Sequence, residues 1–278
     1  EPVDEKTVRY GLGAIKGTGE TAILAIVAAR EKDGPFKDLF DFCRRVDKRI
    51  VNRRTIEALI KAGANANTVF GEGETALMTA ARTGKLDAVK VLLSNGANVN
   101  AKEPRQGQTA LMWAAAEGNA DVVAELVERG ADIHVRSDGF TPLLFAIREG
   151  RMNVVKTLLK SGADVNEKWM PNSRRTPGSG SSALVLAVNN AHWELAAMLL
   201  DAGADPNAAE QGWTALHEMT WVRKPGTGTN QPAPQGSGNM TSLDLLKKLK
   251  EKGANFNAKM TKSARLDART AFSMKQMR

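Results

Sequence analysis

Apolar residues in the middle of the chain fall on one face of short helices that recur at a nearly constant interval. Val89, Leu92 and Leu93 stand at i, i+3 and i+4, and Val155, Leu158 and Leu159 repeat the arrangement, the spacing of an amphipathic helix. Each such stretch runs into the dipeptide Gly-Ala, found at 63–64, 96–97, 130–131, 162–163, 203–204 and 253–254. The intervals between these dipeptides are 33, 34, 32, 41 and 50 residues. A second marker keeps the same phase as Thr75-Ala76-Leu77, Thr109-Ala110-Leu111, Thr141-Pro142-Leu143, Ser182-Ala183-Leu184 and Thr214-Ala215-Leu216. Thr or Ser at that position predicts a cap on a first helix, in whose first turn Pro142 is tolerated. The paired alanines Ala80-Ala81 and Ala114-Ala115 are small enough for a second helix to approach closely. Gly96, Gly130, Gly162 and Gly203 then end that second helix, because glycine enters the left-handed region without strain. A stretch such as Asn98-Val99-Asn100 leads through a turn to the next cap. The predicted fold is all-α.

This pattern resembles the ankyrin family, whose period is 33 and whose signature is T-P-L-H-x-A. Thr214-Ala215-Leu216-His217 and Thr141-Pro142-Leu143 carry it best. The resemblance implies a solenoid of antiparallel helix pairs over residues 53–260, with β-turn fingers projecting to one side. It implies no catalysis. Two units are stretched, by residues 169–181 (with Arg174-Arg175) and by the Pro-, Gly- and Gln-rich residues 223–239, and both stretches read as loops. The run from Trp213 to Trp221 is similar to one bacterial ankyrin subgroup, which brings no activity with it. Residues 261–278 are expected to form a degenerate C-terminal cap or tail, since a terminal unit must shield its neighbour. In ankyrin stacks the working surface is the fingers and the exposed ends of the first helices. By phase this places Glu72, Glu74, Arg82, Arg105, Gln108, Phe140, Arg148, Asn189, Trp213 and Trp221 on a concave face that would hold an unidentified protein partner, the aromatics and arginines as hot spots. Trp113 and Phe145 are expected in the core, and His217 in a buried hydrogen-bonding role.

The first sixty-four residues lack these markers until their last helix. Tyr10-Gly11-Leu12-Gly13-Ala14-Ile15-Lys16-Gly17-Thr18-Gly19-Glu20 precedes a helix-like run from Thr21 to Glu31. A glycine hairpin between two helices presents backbone N–H groups at a helix N-terminus, where a phosphate can sit; taken alone, it serves equally as a structural turn. The segment Val8 to Gly17, then Gly34-Pro35-Phe36-Lys37-Asp38-Leu39-Phe40-Asp41-Phe42-Cys43, then Val51-Asn52-Arg53-Arg54 and Glu57 to Ala64, is similar to the tandem helix-hairpin-helix region of the bacterial polymerase III alpha subunits. That resemblance implies sequence-independent binding of duplex DNA through backbone contacts. Gly17, Thr18 and Gly19 would form the hairpin with Lys16 beside it, and Arg53 and Arg54 would open the second unit. The likeness stops at Ala64, and no palm-like set of metal-binding carboxylates follows, which excludes polymerase activity. Residues 1–62 thus read as a helix-hairpin-helix module. The octamer Glu57-Ala58-Leu59-Ile60-Lys61-Ala62-Gly63-Ala64 fits both families, so one junction helix is shared. Two unrelated families meeting in one helix point to an engineered chimera, a natural fusion being the alternative.

Composition narrows the remaining classes. Hydrophobic residues make up 42% and aromatic residues 5%, which suits a core of leucine and small residues. No stretch of eighteen apolar residues occurs, and a helical membrane span is not expected. The chain opens Glu1-Pro2-Val3-Asp4 without methionine or a signal-peptide pattern, and is expected to be a mature chain or a cut-out piece. Cys43 is the single cysteine, which excludes an internal disulfide and favours a reducing compartment, the cytoplasm. Cys43 itself is expected as a packed thiol. His134, His192 and His217 are dispersed and lack cysteine partners, so neither a metal site nor any cofactor is expected. The net charge of +8 divides into +3 over residues 1–64, −3 over 65–210 and +8 over 211–278. The lysines from Lys247 to Lys252 are read as a solvated helix face. The chain is expected to be a monomeric binding scaffold carrying a DNA-binding module. A designed structural chimera with no ligand, or an ankyrin interaction protein that does not bind DNA, is the rival reading.

Overall fold

The computed structural model describes residues 2–4, 7–8, 20–34, 45–46, 65–70, 73–170, 180–223 and 238–261. The chain divides into two compact units, Glu1–Asp132 and Ile133–Arg278. Eleven helices and six two- or three-residue strands are present among the described residues, and the fold is all-α as the periodicity predicts. None of these helices is long and apolar enough to cross a membrane.

In the first unit, β1 (Pro2–Asp4) pairs antiparallel with β2 (Thr7–Val8). Helix α1 (Glu20–Asp33) follows, one residue longer at its start and two at its end than the sequence pattern suggests. Its C-terminal carbonyls are taken up by Arg45, whose guanidinium donates to Ala29 O at 2.6 Å and Gly34 O at 2.7 Å. A cation is well placed there, where the helix dipole is negative. Two helix pairs come next: α2 (Ala76–Arg82) with α3 (Leu86–Ser94), and α4 (Ala110–Glu117) with α5 (Ala120–Glu128). The first helices α2 and α4 pack on one another, as do the second helices α3 and α5.

The second unit holds α6 (Pro142–Arg148) with α7 (Met152–Lys160), α8 (Ala183–Asn189) with α9 (Trp193–Asp201), and α10 (Ala215–Arg223) with α11 (Ser242–Glu251). Here too first helices pack on first helices, α6 on α8 and α8 on α10, while α9 packs on α11.

The two sequence markers have direct physical causes. Thr75, Thr109, Thr141 and Ser182 each accept the backbone N–H three residues on, at 3.2 to 3.4 Å, satisfying one orphan donor of the helix start. At the other marker, Gly96 adopts φ 81° and donates to Leu93 O, while Ala97 N–H donates to Leu92 O. Gly130 and Ala131 repeat this on Val127 and Leu126. This is the Schellman arrangement, in which a left-handed glycine lets the next residue turn back on the helix end. Ala97 and Ala131 are buried, so the dipeptide supplies a conformation and an apolar contact together.

Between repeats the turns are bolted by asparagine. Asn67 donates to Gly96 O at 2.8 Å and accepts from Asn98 N–H at 2.7 Å. Asn100 does the same with Gly130 O and Asp132 N–H at 3.0 and 2.8 Å. In the second unit Asn166 clamps Gly203 O and Asp205 N–H, and Asn207 clamps Gly253 O and Asn255 N–H. One amide thereby fixes both backbone groups of the next Gly-Ala turn.

The fingers are antiparallel hairpins. β3 (Val69–Phe70) pairs with β4 (Glu74–Thr75), and Lys102 bridges Thr109. In the second unit Ser137 bridges Phe140, and β5 (Lys168–Trp169) pairs with β6 (Ser181–Ser182) across residues 170–180. The expected insertion at 169–181 falls largely outside the described residues, and so do most of 223–239, which lie between α10 and α11.

Candidate interaction surface

The sequence-predicted surface residues divide between the two units. In the first, Arg82 at the end of α2 lays its guanidinium over the Trp113 ring of α4, 4.9 Å from the centroid. The indole N–H of Trp113 donates to Gln108 Oε1 at 2.7 Å, and Gln108 Nε2 donates to Gln106 Oε1 at 2.7 Å. The expectation that Trp113 is core needs correcting: it is half-buried, because its edge must reach the finger. The finger that carries Gln108 is organised by Glu103, which the sequence pattern does not single out. This buried carboxylate accepts the backbone N–H groups of Arg105, Gln106 and Gln108 at 2.7 to 2.9 Å. One side chain thus replaces the water those turn amides would otherwise need. Arg105 projects from the same finger and is exposed, and Glu74 is half-buried at the base of the preceding one.

In the second unit Phe140 departs from expectation. It is 4% exposed, and its ring packs on Phe145 and Trp169, each at 5.3 Å between centroids. Ser137 and Phe140 close a tight hairpin through Asp138 (φ 46°) and Gly139 (φ 79°), so Phe140 sits at the base of the finger rather than on its tip. Phe145 is buried as expected. Arg148 covers both rings, at 5.1 and 5.0 Å, and pairs with Glu149 at 3.0 Å. Trp169 donates its N–H to Asp138 O at 3.2 Å.

Two carboxylates organise this unit. Glu167 receives the Thr141 hydroxyl at 2.6 Å and Arg136 at 3.2 Å; burial pushes its pKa above the ordinary range, against the Thr141 bond and the charges of Arg136 and His134. Arg136 also donates to the carbonyls of Gly139 and Lys168, tying two fingers together. Glu218 is buried in α10 and accepts both from Asn189 Nδ2 and from Trp213 Nε1, each at 2.6 Å. Burial raises its pKa too, opposed by those two hydrogen bonds. Asn189 and Trp213, predicted on one face from phase alone, are therefore joined through the Glu218 carboxylate. His217 accepts from Thr214 N–H at Nδ1 (3.2 Å), and its Nε2 donates to Ala258 O at 3.1 Å. It has the expected hydrogen-bonding role, in a half-buried setting. Trp221 lies in α10, but its side chain is outside the described residues. Glu72, Cys43, Lys16, Gly17, Thr18, Gly19, Arg53 and Arg54 also lie outside them.

The chemistry on offer is that of recognition. The oxygens of Glu103, Glu167 and Glu218 are engaged by donors of a finger backbone, of Thr141 and Arg136, and of Asn189 and Trp213 respectively. Among the described residues no group of three or more His, Cys, Asp or Glu is placed to hold a metal ion.

Comparison with known proteins finds two families along the chain. Residues 2–72 match the helix-hairpin-helix motif, and residues 50–137 and 103–169 match ankyrin repeats, with a further ankyrin repeat at 179–210. The N-terminal segment is similar to the DNA polymerase III subunit alpha of Neisseria meningitidis serogroup B, 57% identical over 63 residues, which are 23% of this chain and 6% of that protein. The Vibrio cholerae subunit is 61% identical over 61 residues (22% and 5%), and the Escherichia coli K12 subunit 52% over 61 (22% and 5%). The chain therefore spans only about one-twentieth of the length of these relatives. Among solved structures, the human ASB11 ankyrin repeat domain aligns with a TM-score of 0.59 at 23% identity, covering 74% of this chain and 83% of that one. The chain thus carries ankyrin repeats at 50–169 and 179–210, with that fold in its helices, and its N-terminal segment matches the helix-hairpin-helix motif and is similar to that region of polymerase III alpha subunits.

Proposed function

We propose that the chain is a non-catalytic interaction scaffold in which a sequence-independent duplex-DNA-binding module is fused to an ankyrin binding domain, an assembly of engineered origin. The observation that carries this reading is the identity above one half, over about sixty residues, to the helix-hairpin-helix segment of polymerase III alpha subunits, directly followed by ankyrin repeats. In this reading residues 1–62 form the module, 53–260 the repeats, and 261–278 a cap, with Arg53 to Ala62 as the shared helix. The overlap of the two family matches at residues 50–72 supports that sharing. Lys16, the Gly17–Gly19 hairpin, Arg53 and Arg54 contact phosphates. Arg82, Trp113, Arg105 and Gln108 in the first unit, and Arg148, Asn189 and Trp213 in the second, form faces for protein partners. The scaffold acts as a monomer in the cytoplasm and uses no cofactor.

The test is a fluorescence-anisotropy titration of labelled duplex DNA against the full chain and its Lys16→Ala, Arg53→Ala and Arg54→Ala variants. A module touching about three phosphates gives a log–log salt slope of roughly −3, and each variant lowers it by about one unit. Affinity and slope that do not respond to any of the three substitutions remove DNA from the account and leave the ankyrin scaffold alone.

A further inference from the structure

Four residues past the Thr or Ser that opens each first helix, the second unit carries Phe145, Leu186 and Glu218, all of them buried. An apolar side chain satisfies the packing at that position in α6 and α8, and α10 places a carboxylate there instead. Burying a carboxylate is costly unless a cation answers it. For Glu125 and Glu167 one does, since Arg129 lies 3.1 Å from the first and Arg136 3.2 Å from the second. Glu218 meets only neutral donors among the described residues, Asn189 Nδ2 and Trp213 Nε1, each at 2.6 Å. Both are side chains from other elements of the fold, whereas Glu103 accepts from the backbone of its own finger.

The ring beside this carboxylate lacks a cation as well. Arg82 covers Trp113 at 4.9 Å, and Arg148 covers Phe145 at 5.0 Å. Among the described residues no guanidinium or ammonium lies over Trp213. Trp213 is half-buried and Asn189 exposed, so both reach water while Glu218 fixes their orientation. Asn189 gives one amide hydrogen to Glu218, which leaves its second hydrogen and its Oδ1 acceptor for another molecule. Gln211 adds an open acceptor in the same finger as Trp213. It is 4% exposed, its Nε2 donates to Trp213 O at 2.6 Å, and its Oε1 is buried without a hydrogen-bond partner. A packing rule broken at one position, with no gain to the fold, marks that position as functional.

We propose, within the protein-binding reading given above, that Asn189, Trp213 and Glu218 receive an extended basic segment of a partner protein. The Asn189 amide pairs with a backbone amide of that segment, which in an extended chain offers both the acceptor and the donor that the asparagine needs. An arginine or lysine of the segment lies on the Trp213 ring. It brings to Glu218 the positive charge that Arg136 brings to Glu167. Held against an indole and away from water, that charge gains more from the carboxylate than an exposed ion pair would.

Selection of a displayed library of random linear decapeptides on the full chain tests this. The wild type enriches sequences that carry arginine or lysine, and a synthetic peptide of the enriched sequence binds Glu218→Gln and Asn189→Ala roughly tenfold or more weakly. Equal affinity for all three proteins overturns the proposal and leaves a scaffold that binds peptides elsewhere. Enrichment of acidic or uncharged sequences overturns it in the same way. No enrichment at all overturns it and also removes linear segments from the protein-binding reading. A second readout needs no variant and so does not depend on how a variant folds. N-acetylarginine methylamide, titrated into the isotope-labelled full chain, shifts the Trp213 indole N–H and Asn189 side-chain amide resonances saturably, and N-acetylglutamate methylamide leaves them in place. Shifts absent with both compounds, or equal with both, overturn the proposal.

Discussion

Replacing Asn100 by aspartate probes the clamp between repeats with a change of one atom. Asn100 Nδ2 donates to Gly130 O at 3.0 Å, and Oδ1 accepts from Asp132 N–H at 2.8 Å. Alanine removes both bonds at an exposed site, where water takes over part of each. At about 0.5 to 1 kcal/mol per exposed bond, Asn100→Ala costs roughly 1 to 2 kcal/mol. Aspartate keeps the acceptor for Asp132 N–H but sets an ionised oxygen against the Gly130 carbonyl oxygen, so one bond becomes a repulsion. Asn100→Asp therefore costs at least as much as alanine at neutral pH, about 2 kcal/mol. The decisive feature is its pH dependence. A protonated carboxyl donates O–H to Gly130 as the amide does, so the folded state raises the pKa of the new Asp above the ordinary value of about 3.9. Stability is then lost as pH rises through the window above that value and regained below it. Urea unfolding at pH 7 and pH 3.5, read as the shift of midpoint at constant slope, gives the measurement. The gap between variant and wild type closes at the lower pH. A gap that persists unchanged, or an Asn100→Asp protein as stable as wild type at pH 7, refutes the clamp.

Three further outcomes follow from the same contacts. Gly73 has φ 95°, and a Cβ there would overlap the Pro104 ring, whereas Gly96 has φ 81° and open space; thermal unfolding should show Gly73→Ala losing about 2 to 4 kcal/mol and Gly96→Ala about 1 to 2. Glu218→Gln keeps both hydrogen bonds if Asn189 turns its amide, while removing a buried charge. Because burial raises the Glu218 pKa above 4.5, wild-type stability falls as pH rises through the window above that value. Melting temperatures between pH 4 and pH 8 should fall less steeply in the variant, and equal slopes refute this role. Arg45→Ala removes two charged hydrogen bonds from the end of α1, worth about 1.5 to 3 kcal/mol each, and should speed amide exchange across Glu20–Asp33 while leaving α4 and α5 unchanged.

The repeat was legible because its markers are local devices. A threonine cap and a left-handed glycine each act within five residues of chain, so the sequence shows them whatever surrounds them. Phe140 was not legible for the opposite reason. Its burial depends on Trp169, twenty-nine residues away, and on a hairpin whose two central residues, Asp138 and Gly139, both take positive φ. Phase alone places it in a finger but cannot say whether it stands at base or tip. The organising roles of Glu103, Glu167 and Glu218 were not legible either, since an acid shows such a role only when the amides, hydroxyls and rings around it are placed. Asn189 and Trp213 were put on the same face from phase, yet the carboxylate between them is what sets their geometry.

The same distinction bears on where the two families meet. The helix-hairpin-helix match runs to residue 72 and the ankyrin match starts at 50, so likeness alone leaves more than twenty residues doubly claimed. Geometry divides part of that stretch. Asn67 N–H donates to Asn65 Oδ1 at 2.9 Å, Thr68 N–H closes on Asn65 O, and the Asn67 amide clamps the turn at Gly96. Residues 65–68 are thus already an ankyrin turn, built like Asn98–Asn100 and bonded like it. The octamer Glu57 to Ala64, whose sequence fits both families, lies outside the described residues, so the observed repeats begin no later than the turn at Asn65.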